Sequence, residues 1–334
     1  MNLKLLLKRG ALLAAANWPA VVMQFIAETM FQVLLAVPIV GAAILVAVLV
    51  GGDLAEVLQG SLREIFTASL AALASEPIAL ASFITAFLIV LAGGSVLMFL
   101  VKGGTIDVLL AAHEGAGDIE RQPLTFEHLR PASAFTLSRF MNGSRRLFRS
   151  YLALGVALMA VYVLSGAAYL GFVVYGYRAA AGFVLMIGWT FIAALATAAL
   201  VAWLTLINFI YLLMQIALAT DGGRLTDACR SVAWFIRSEF RELAGLFLII
   251  VGFVVAATLV SMLAWSGVGL IAFVPLVGLA VFPLQIAALL VRGLAFEYLG
   301  LAAAGAYITL YHRAPRAVRG ERAPERARTP QRVL

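Results

Sequence analysis

The stretch LAGLFLIIVGFVVAATLVSMLAW, residues 243–265, holds 23 consecutive positions without a charged side chain. A helix that crosses the hydrocarbon core of a bilayer needs about 20 such residues. Five further uncharged stretches are long enough, at 31–50, 77–101, 151–175, 182–219 and 268–291. Because 63% of the chain is hydrophobic and 12% is charged, a water-facing shell could not cover its apolar surface. The sequence therefore predicts an all-α, polytopic membrane bundle with about six transmembrane helices.

Basic residues alternate between connections that they enrich and connections that they avoid. The N-terminal arm holds three Lys or Arg, the connection 51–76 holds one and the connection 102–150 holds seven. The connection between the third and fourth spans holds one, the connection 220–242 holds four and the tail from 313 onward holds seven. Cytoplasmic loops carry the excess of these residues, so both termini and the connections 102–150 and 220–242 are predicted to be cytoplasmic. Basic residues beside apolar runs are typical of an anionic membrane surface, which we expect as the partner in place of nucleic acid.

Three segments outside the spans have distinct patterns. Apolar residues at three-to-four spacing predict an outer amphipathic helix over 53–75. Residues 293–311 are apolar apart from Glu297, but a seventh span there would place the arginine-rich tail outside. A sixth helix that continues past the membrane, or a helix on the inner surface, fits better. The membrane domain is thus predicted over 1–312, followed by a disordered basic cytoplasmic tail over 313–334.

The chain also contains the pattern of a threefold parallel repeat, over about 1–112, 132–219 and 226–312. Each repeat consists of an interfacial helix, an aromatic residue at the membrane entry and two spans, with Trp18, Phe148 and Phe240 as the entries. The first and third repeats share the sequence L-V-[KR]-G at 100–103 and 290–293, followed at equal distance by Asp107 and Glu297. An internal period of this kind predicts that one structural unit recurs along the chain.

This layout, with the ending YITLYHR over 307–313, resembles a group of poorly characterised bacterial six-span membrane proteins. The group includes the membrane domain attached to some glycerophosphodiester phosphodiesterases. The sequence has no room for the soluble phosphodiesterase barrel, so the resemblance does not imply that activity. It implies a membrane module of the bacterial cytoplasmic membrane without an established reaction.

Polar residues within or beside the even-numbered spans are the candidate site. They form either a vestibule for an ion or an anionic headgroup, or charge pairs between repeats, Lys102 with Glu297 and Arg292 with Asp107. A structural alternative is that the charged side chains extend to the headgroups and the amides bond between helices. The candidates are Lys102, Asp107, Asn208, Gln215, Arg292 and Glu297.

Arginines near the start of the third span and in the tail are candidates for lipid contact. Residues 132–149 hold four arginines, no acid and several large apolar side chains, a composition typical of a basic interfacial helix. We predict contact with anionic headgroups on the cytoplasmic side for Arg139, Arg145, Arg146, Arg149, Arg313, Arg316 and Arg319.

No motif in the chain points to catalysis. The three histidines lack metal-ligand spacing, Cys229 is the single cysteine, and no nucleophile elbow, phosphate loop or dinucleotide fingerprint occurs. We therefore expect no metal, no cofactor and no enzymatic activity. The preferred hypothesis is a non-enzymatic membrane module that scaffolds partners or associates with lipid. The alternative is a small transporter or channel whose long even-numbered helices form a polar inner vestibule.

Overall fold

A computed structural model describes residues 2–50, 77–123, 125–180, 183–222, 224–272 and 277–313. These residues contain helices and no strand, which confirms the all-α class. The predicted helix 53–75 and the tail beyond Arg313, with Arg316 and Arg319, lie outside the described residues. The α-helices are α1 Leu3–Ala16, α2 Trp18–Val50, α3 Pro77–Gly115, α4 Phe126–Leu129, α5 Leu137–Ala179, α6 Phe183–Asp221, α7 Leu225–Ser238, α8 Phe240–Ala272 and α9 Val277–Arg313.

Six helices, α2, α3, α5, α6, α8 and α9, are long and apolar enough to cross a membrane, as predicted. The last of them, α9, is one continuous helix of 37 residues. At about 1.5 Å per residue it is about 55 Å long, well beyond the roughly 30 Å of a hydrocarbon core. Residues 293–311 therefore continue the sixth helix and form neither a separate surface helix nor a seventh span.

The chain divides into two compact units, residues 22–102 and residues 1–21 with 103–334. The first unit contains most of α2 and the first two thirds of α3. In it, the Phe31 ring of α2 lies against Gly94 of α3, where a methyl group would overlap the ring. This glycine allows close helix contact, which is the usual role of small residues between helices in lipid.

The second unit has a tightly packed region that we call the helical core. It consists of α1, α7, the starts of α5 and α8, and the ends of α3, α6 and α9. Its contacts include the Phe209 ring against Phe247 and Tyr307, and a 2.7 Å hydrogen bond from the Tyr311 hydroxyl to Asp221. Its largest fully buried side chains include Leu6, Leu13, Leu109, Tyr151, Leu213, Phe235, Leu246, Leu301 and Tyr307.

Farther along the same helices lies a region that we call the exposed belt. Large apolar side chains are exposed from Val156 to Tyr177 in α5, Leu185 to Leu206 in α6, Leu248 to Leu263 in α8 and Leu284 to Val291 in α9. So much exposed apolar surface is not stable in water and fits contact with lipid. The α5 and α6 parts are each about 32 Å long, close to the thickness of a hydrocarbon core.

Two helix pairs have the same layout. α1 and α2, like α7 and α8, consist of a 14-residue helix, one linking residue and a long helix. The middle segment differs from the prediction, because α5 runs from Leu137 through Phe148 without a break. Its first turns pack on α3, with Gly104 against Ser144 and the Phe140 carbonyl, so they do not form a separate interfacial helix. The threefold repeat stays a prediction.

Candidate functional site

Asp107, a predicted vestibule residue, has a different partner from the one we predicted. Its carboxylate pairs with the Arg146 guanidinium of α5, so the predicted pair between Asp107 and Arg292 is not formed. The two helices approach closely at Gly143, because this residue has no side chain. A methyl group there would overlap the Asp107 side chain. The ion pair therefore joins α3 to α5 beside a glycine contact, and it uses one of the arginines predicted to bind lipid.

Arg292 lies at the edge of the exposed belt, directly after Val291. Its side chain is exposed, and its guanidinium carbon is 5.7 Å from the centre of the Phe296 ring on the same helix. This is the position expected for an arginine that extends from the end of an apolar segment toward headgroups. Glu297, five residues farther, is buried. Lys102 belongs to the other unit, and its predicted pairing with Glu297 stays a prediction.

Asn208 and Gln215 both connect α6 to α5. The Asn208 carbonyl oxygen accepts a hydrogen bond from the Tyr162 hydroxyl, and the Gln215 main-chain carbonyl accepts one from Tyr151 at 2.9 Å. The Gln215 side chain is buried, and its nitrogen has no hydrogen-bond partner among the described residues. Two further bonds continue this row along the belt, Trp203 to Ser165 at 3.0 Å and Tyr169 with Thr197 at 2.6 Å. The row stabilises a helix pair in lipid.

Asp107, Asn208 and Arg292 thus have separate surroundings, with Arg146, Tyr162 and Phe296 as their respective neighbours. None of these three contacts joins one predicted vestibule residue to another. The sequence identifies these three residues as polar groups in or beside the spans. The structure places them in separate contacts and not around one vestibule.

A buried polar cluster at the start of the chain was not predicted. Arg9 is 8% exposed, and its guanidinium donates to the Glu120 carboxylate at 2.8 Å, to the His113 carbonyl at 3.2 Å and to the Gly117 carbonyl. The Lys8 ammonium donates to the Glu120 carbonyl at 2.7 Å. The His113 ring lies 5.0 Å from the His312 ring of α9. Arg9 therefore satisfies carbonyls at the end of α3, where a cation is favourable.

Asn17, the residue between α1 and α2, holds the segment before α5 in place. Its side-chain nitrogen donates to the Leu13 and Ala132 carbonyls, and its side-chain oxygen accepts from the main-chain nitrogens of Ala134 and Phe135. The side chain is fully buried and uses its whole bonding capacity. The available sequence signal was an Asn that interrupts an apolar run, but nothing in the run indicates a partner more than 110 residues away.

The start of α5 carries three exposed arginines that we call the basic face, Arg139, Arg145 and Arg149, which spread over about 120° of the helix circumference. The opposite side of these turns is buried, with Phe140 and Leu147 in the helical core. Leu137 and Met141, one turn apart, lie beside Arg145 on the side away from Arg139 and are 62% and 43% exposed. The basic face therefore points away from the core and remains open to other molecules.

The three arginines of the basic face lie at different distances from the exposed belt along α5. Counted from Val156, where the exposed belt begins, Arg149 is about 10 Å away, Arg145 about 16 Å and Arg139 about 26 Å. The headgroup layer on each side of a bilayer is only roughly 5–8 Å thick.

Comparison with known protein families, characterised proteins and solved structures finds no match to this chain.

Proposed function

We propose that the protein is a non-enzymatic scaffold of the bacterial cytoplasmic membrane, whose helical core lies in the cytoplasm and presents a binding surface there. The observation that carries the proposal is the division of single helices into an exposed belt and a buried core. α5 is one example, with Val163 exposed in the belt and Tyr151 buried in the core. A membrane protein whose long helices continue into a packed domain has a rigid platform beside the bilayer.

The orientation of this platform follows from the charge rule. The helical core contains α1 and α7 and adjoins the connections that are rich in Lys and Arg, whereas the far end has one arginine, Arg178, in the last turn of α5. In this proposal, fewer arginines contact lipid than the sequence predicts. Arg149 and Arg292 lie near the edge of the belt and bind anionic headgroups in this proposal, whereas Arg313 ends α9 about 33 Å past Val291.

The transporter alternative has weaker support. It requires the polar residues of the even-numbered helices to face a shared path, but Asp107 and Asn208 bond to α5 and Arg292 is exposed. A scaffold needs no such path, and the chain has no motif for a reaction. The scaffold is therefore the better account of these contacts.

Cys229 offers a direct test of the orientation. It is exposed on α7, in the helical core, and it is the only cysteine of the chain. We expect a membrane-impermeant maleimide to label it in inverted membrane vesicles and to leave it unlabelled in right-side-out cells. The matched control is Ala179→Cys in a Cys229→Ser background, which should give the reverse pattern from the far end of α5. Labelling of Cys229 from outside intact cells would refute the proposal.

A further inference from the structure

The basic face of α5 is a strongly charged surface that the lipid proposal does not account for. No acidic residue occurs between 132 and 149, whereas four arginines do. One of them, Arg146, pairs with Asp107, and Arg139 donates to its neighbouring Ala134 carbonyl at 3.0 Å. Arg145 and Arg149 have exposed side chains with no acidic partner in the described part of the chain. The guanidinium groups of this surface therefore have unused donors for an anionic partner.

The helix that carries the basic face has a fixed position. Gly143 and Ser144 lie against α3, and the Tyr151 hydroxyl bonds to α6. Upstream, Asn17 holds the main chain of Ala134 and Phe135. Since α5 is also continuous with its membrane span, its first turns are not free to rotate or to lie down on the bilayer.

This position excludes the bilayer as the main partner. Even if α5 were tilted by 40°, the upper end of the range for membrane helices, Arg139 would remain about 20 Å from the start of the exposed belt. That distance exceeds the roughly 5–8 Å of the headgroup layer by more than twofold. Arg149 is close to headgroups, but Arg139 and Arg145 face the aqueous phase.

We infer that the basic face binds an acidic, amphipathic segment of a soluble cytoplasmic protein. The inference rests on the proposed function, which places the helical core in the cytoplasm. Charge complementarity selects an acidic partner and rejects the chain's own tail, because residues 313–334 hold seven arginines against two glutamates. The exposed Leu137 and Met141 lie one turn apart beside Arg145, so a partner helix with a leucine stripe next to its glutamates fits the side of this surface that carries Arg145.

The test uses the full chain in nanodiscs of neutral lipid and a fluorescent 21-residue peptide composed of Leu and Glu in a helical pattern. We expect the peptide to bind, and Arg139→Glu with Arg145→Glu to weaken binding about tenfold. The milder Arg139→Gln with Arg145→Gln should weaken it about threefold. The matched control, Arg230→Glu with Arg237→Glu on α7, changes the net charge equally and should alter binding less than twofold. Equal weakening by both reversals would overturn the inference, as would no binding by the unmodified protein.

Two further measurements separate the other outcomes. Leu137→Ser with Met141→Ser should weaken the binding of the Leu–Glu peptide and leave the binding of a Ser–Glu peptide unchanged. In flotation with phosphatidylglycerol vesicles, Arg149→Glu should reduce association, whereas the Arg139 and Arg145 reversal should not. Equal loss in the two cases would show that the face binds the membrane and would overturn the inference. The unfolding temperature of each variant should match that of the unmodified protein, and Cys229 labelling tests the proposed function independently.

Discussion

The helical core and the exposed belt are two regions of the same helices with similar apolar content and opposite surroundings. In α9, Ile308 is fully buried while Val291 is 67% exposed. In α5, Leu147 is buried and Leu164 is exposed. The apolar residues of the core are covered by protein, and those of the belt are covered by lipid in our account. Long apolar runs in a membrane protein therefore have two physical causes, which hydropathy alone does not separate.

Polar groups differ between the two regions in the same way. The core contains the Arg9–Glu120 ion pair, in which both side chains are buried. The described polar contacts between α5 and α6 in the belt are hydrogen bonds between neutral side chains, such as that from Tyr162 to Asn208. Loss of one buried charge leaves the other without compensation, whereas loss of one neutral bond costs much less. The predictions below use this difference, from the largest effect to the smallest.

The largest effect is expected at the buried ion pair. Arg9→Met should lower the free energy of unfolding by about 3–5 kcal/mol, because the Glu120 carboxylate stays buried without its partner. The double variant Arg9→Met with Glu120→Leu should recover a substantial part of that loss, since neither charge then remains. Thermal or denaturant unfolding in detergent measures both. A single variant as stable as the unmodified protein would contradict the assignment of this pair to the core.

A smaller effect is expected from one methyl group placed in the two regions. Gly10→Ala should lower the free energy of unfolding by about 1–3 kcal/mol, because its methyl would overlap the Ala302 carbonyl and the Ala306 main chain. Gly171→Ala is the matched control in the belt, where no neighbouring atom lies within 4 Å of the new methyl. It should be neutral or slightly stabilising, since alanine favours a helix over glycine. Equal effects at the two positions would argue against a difference in packing.

The smallest effect is expected at the polar row between α5 and α6. Asn208→Leu or Tyr162→Phe should each lower the free energy of unfolding by about 0.6 kcal/mol and by no more than roughly 1.7 kcal/mol, the mean and the maximum for hydrogen bonds between membrane helices. The double variant should cost little more than one single variant, because both remove the same bond. A double-mutant cycle on unfolding in detergent measures the coupling, and fully additive losses would show that the two side chains act separately.

The sequence was a good guide to the spans and a poor guide to the contacts. An uncharged run of about 20 residues is a local property, so α2, α3, α5, α6, α8 and α9 were recognised directly. The sequence leaves two alternatives for the segment past Arg292, because an apolar segment packed in protein resembles one packed in lipid. In the structure this segment continues α9 and packs on α1, with Gly305 against Gly10, which lies on a helix at the other end of the chain.

The candidate site shows the same limit for charged residues. Asp107 was recognised as a charge near an apolar span, but its pairing with Arg146 depends on how Gly143 lets α5 approach α3. From the sequence, Arg9 indicates only the orientation of the chain, because a basic residue before a span ordinarily faces headgroups. Its partner Glu120 is 111 positions away. Residue type and local spacing predicted where polar groups occur, whereas long-range packing determined their partners.

The most direct test of the division into core and belt compares water access at two exposed positions of α5. Met141 is 43% exposed beside the core, and Val163 is 69% exposed in the belt. In a Cys229→Ser background, with the protein in lipid bilayers, Met141→Cys should react readily with a water-soluble maleimide. Val163→Cys should react slowly, although its side chain is the more exposed. Equal reactivity at the two positions, or faster reaction at Val163→Cys, would contradict the account.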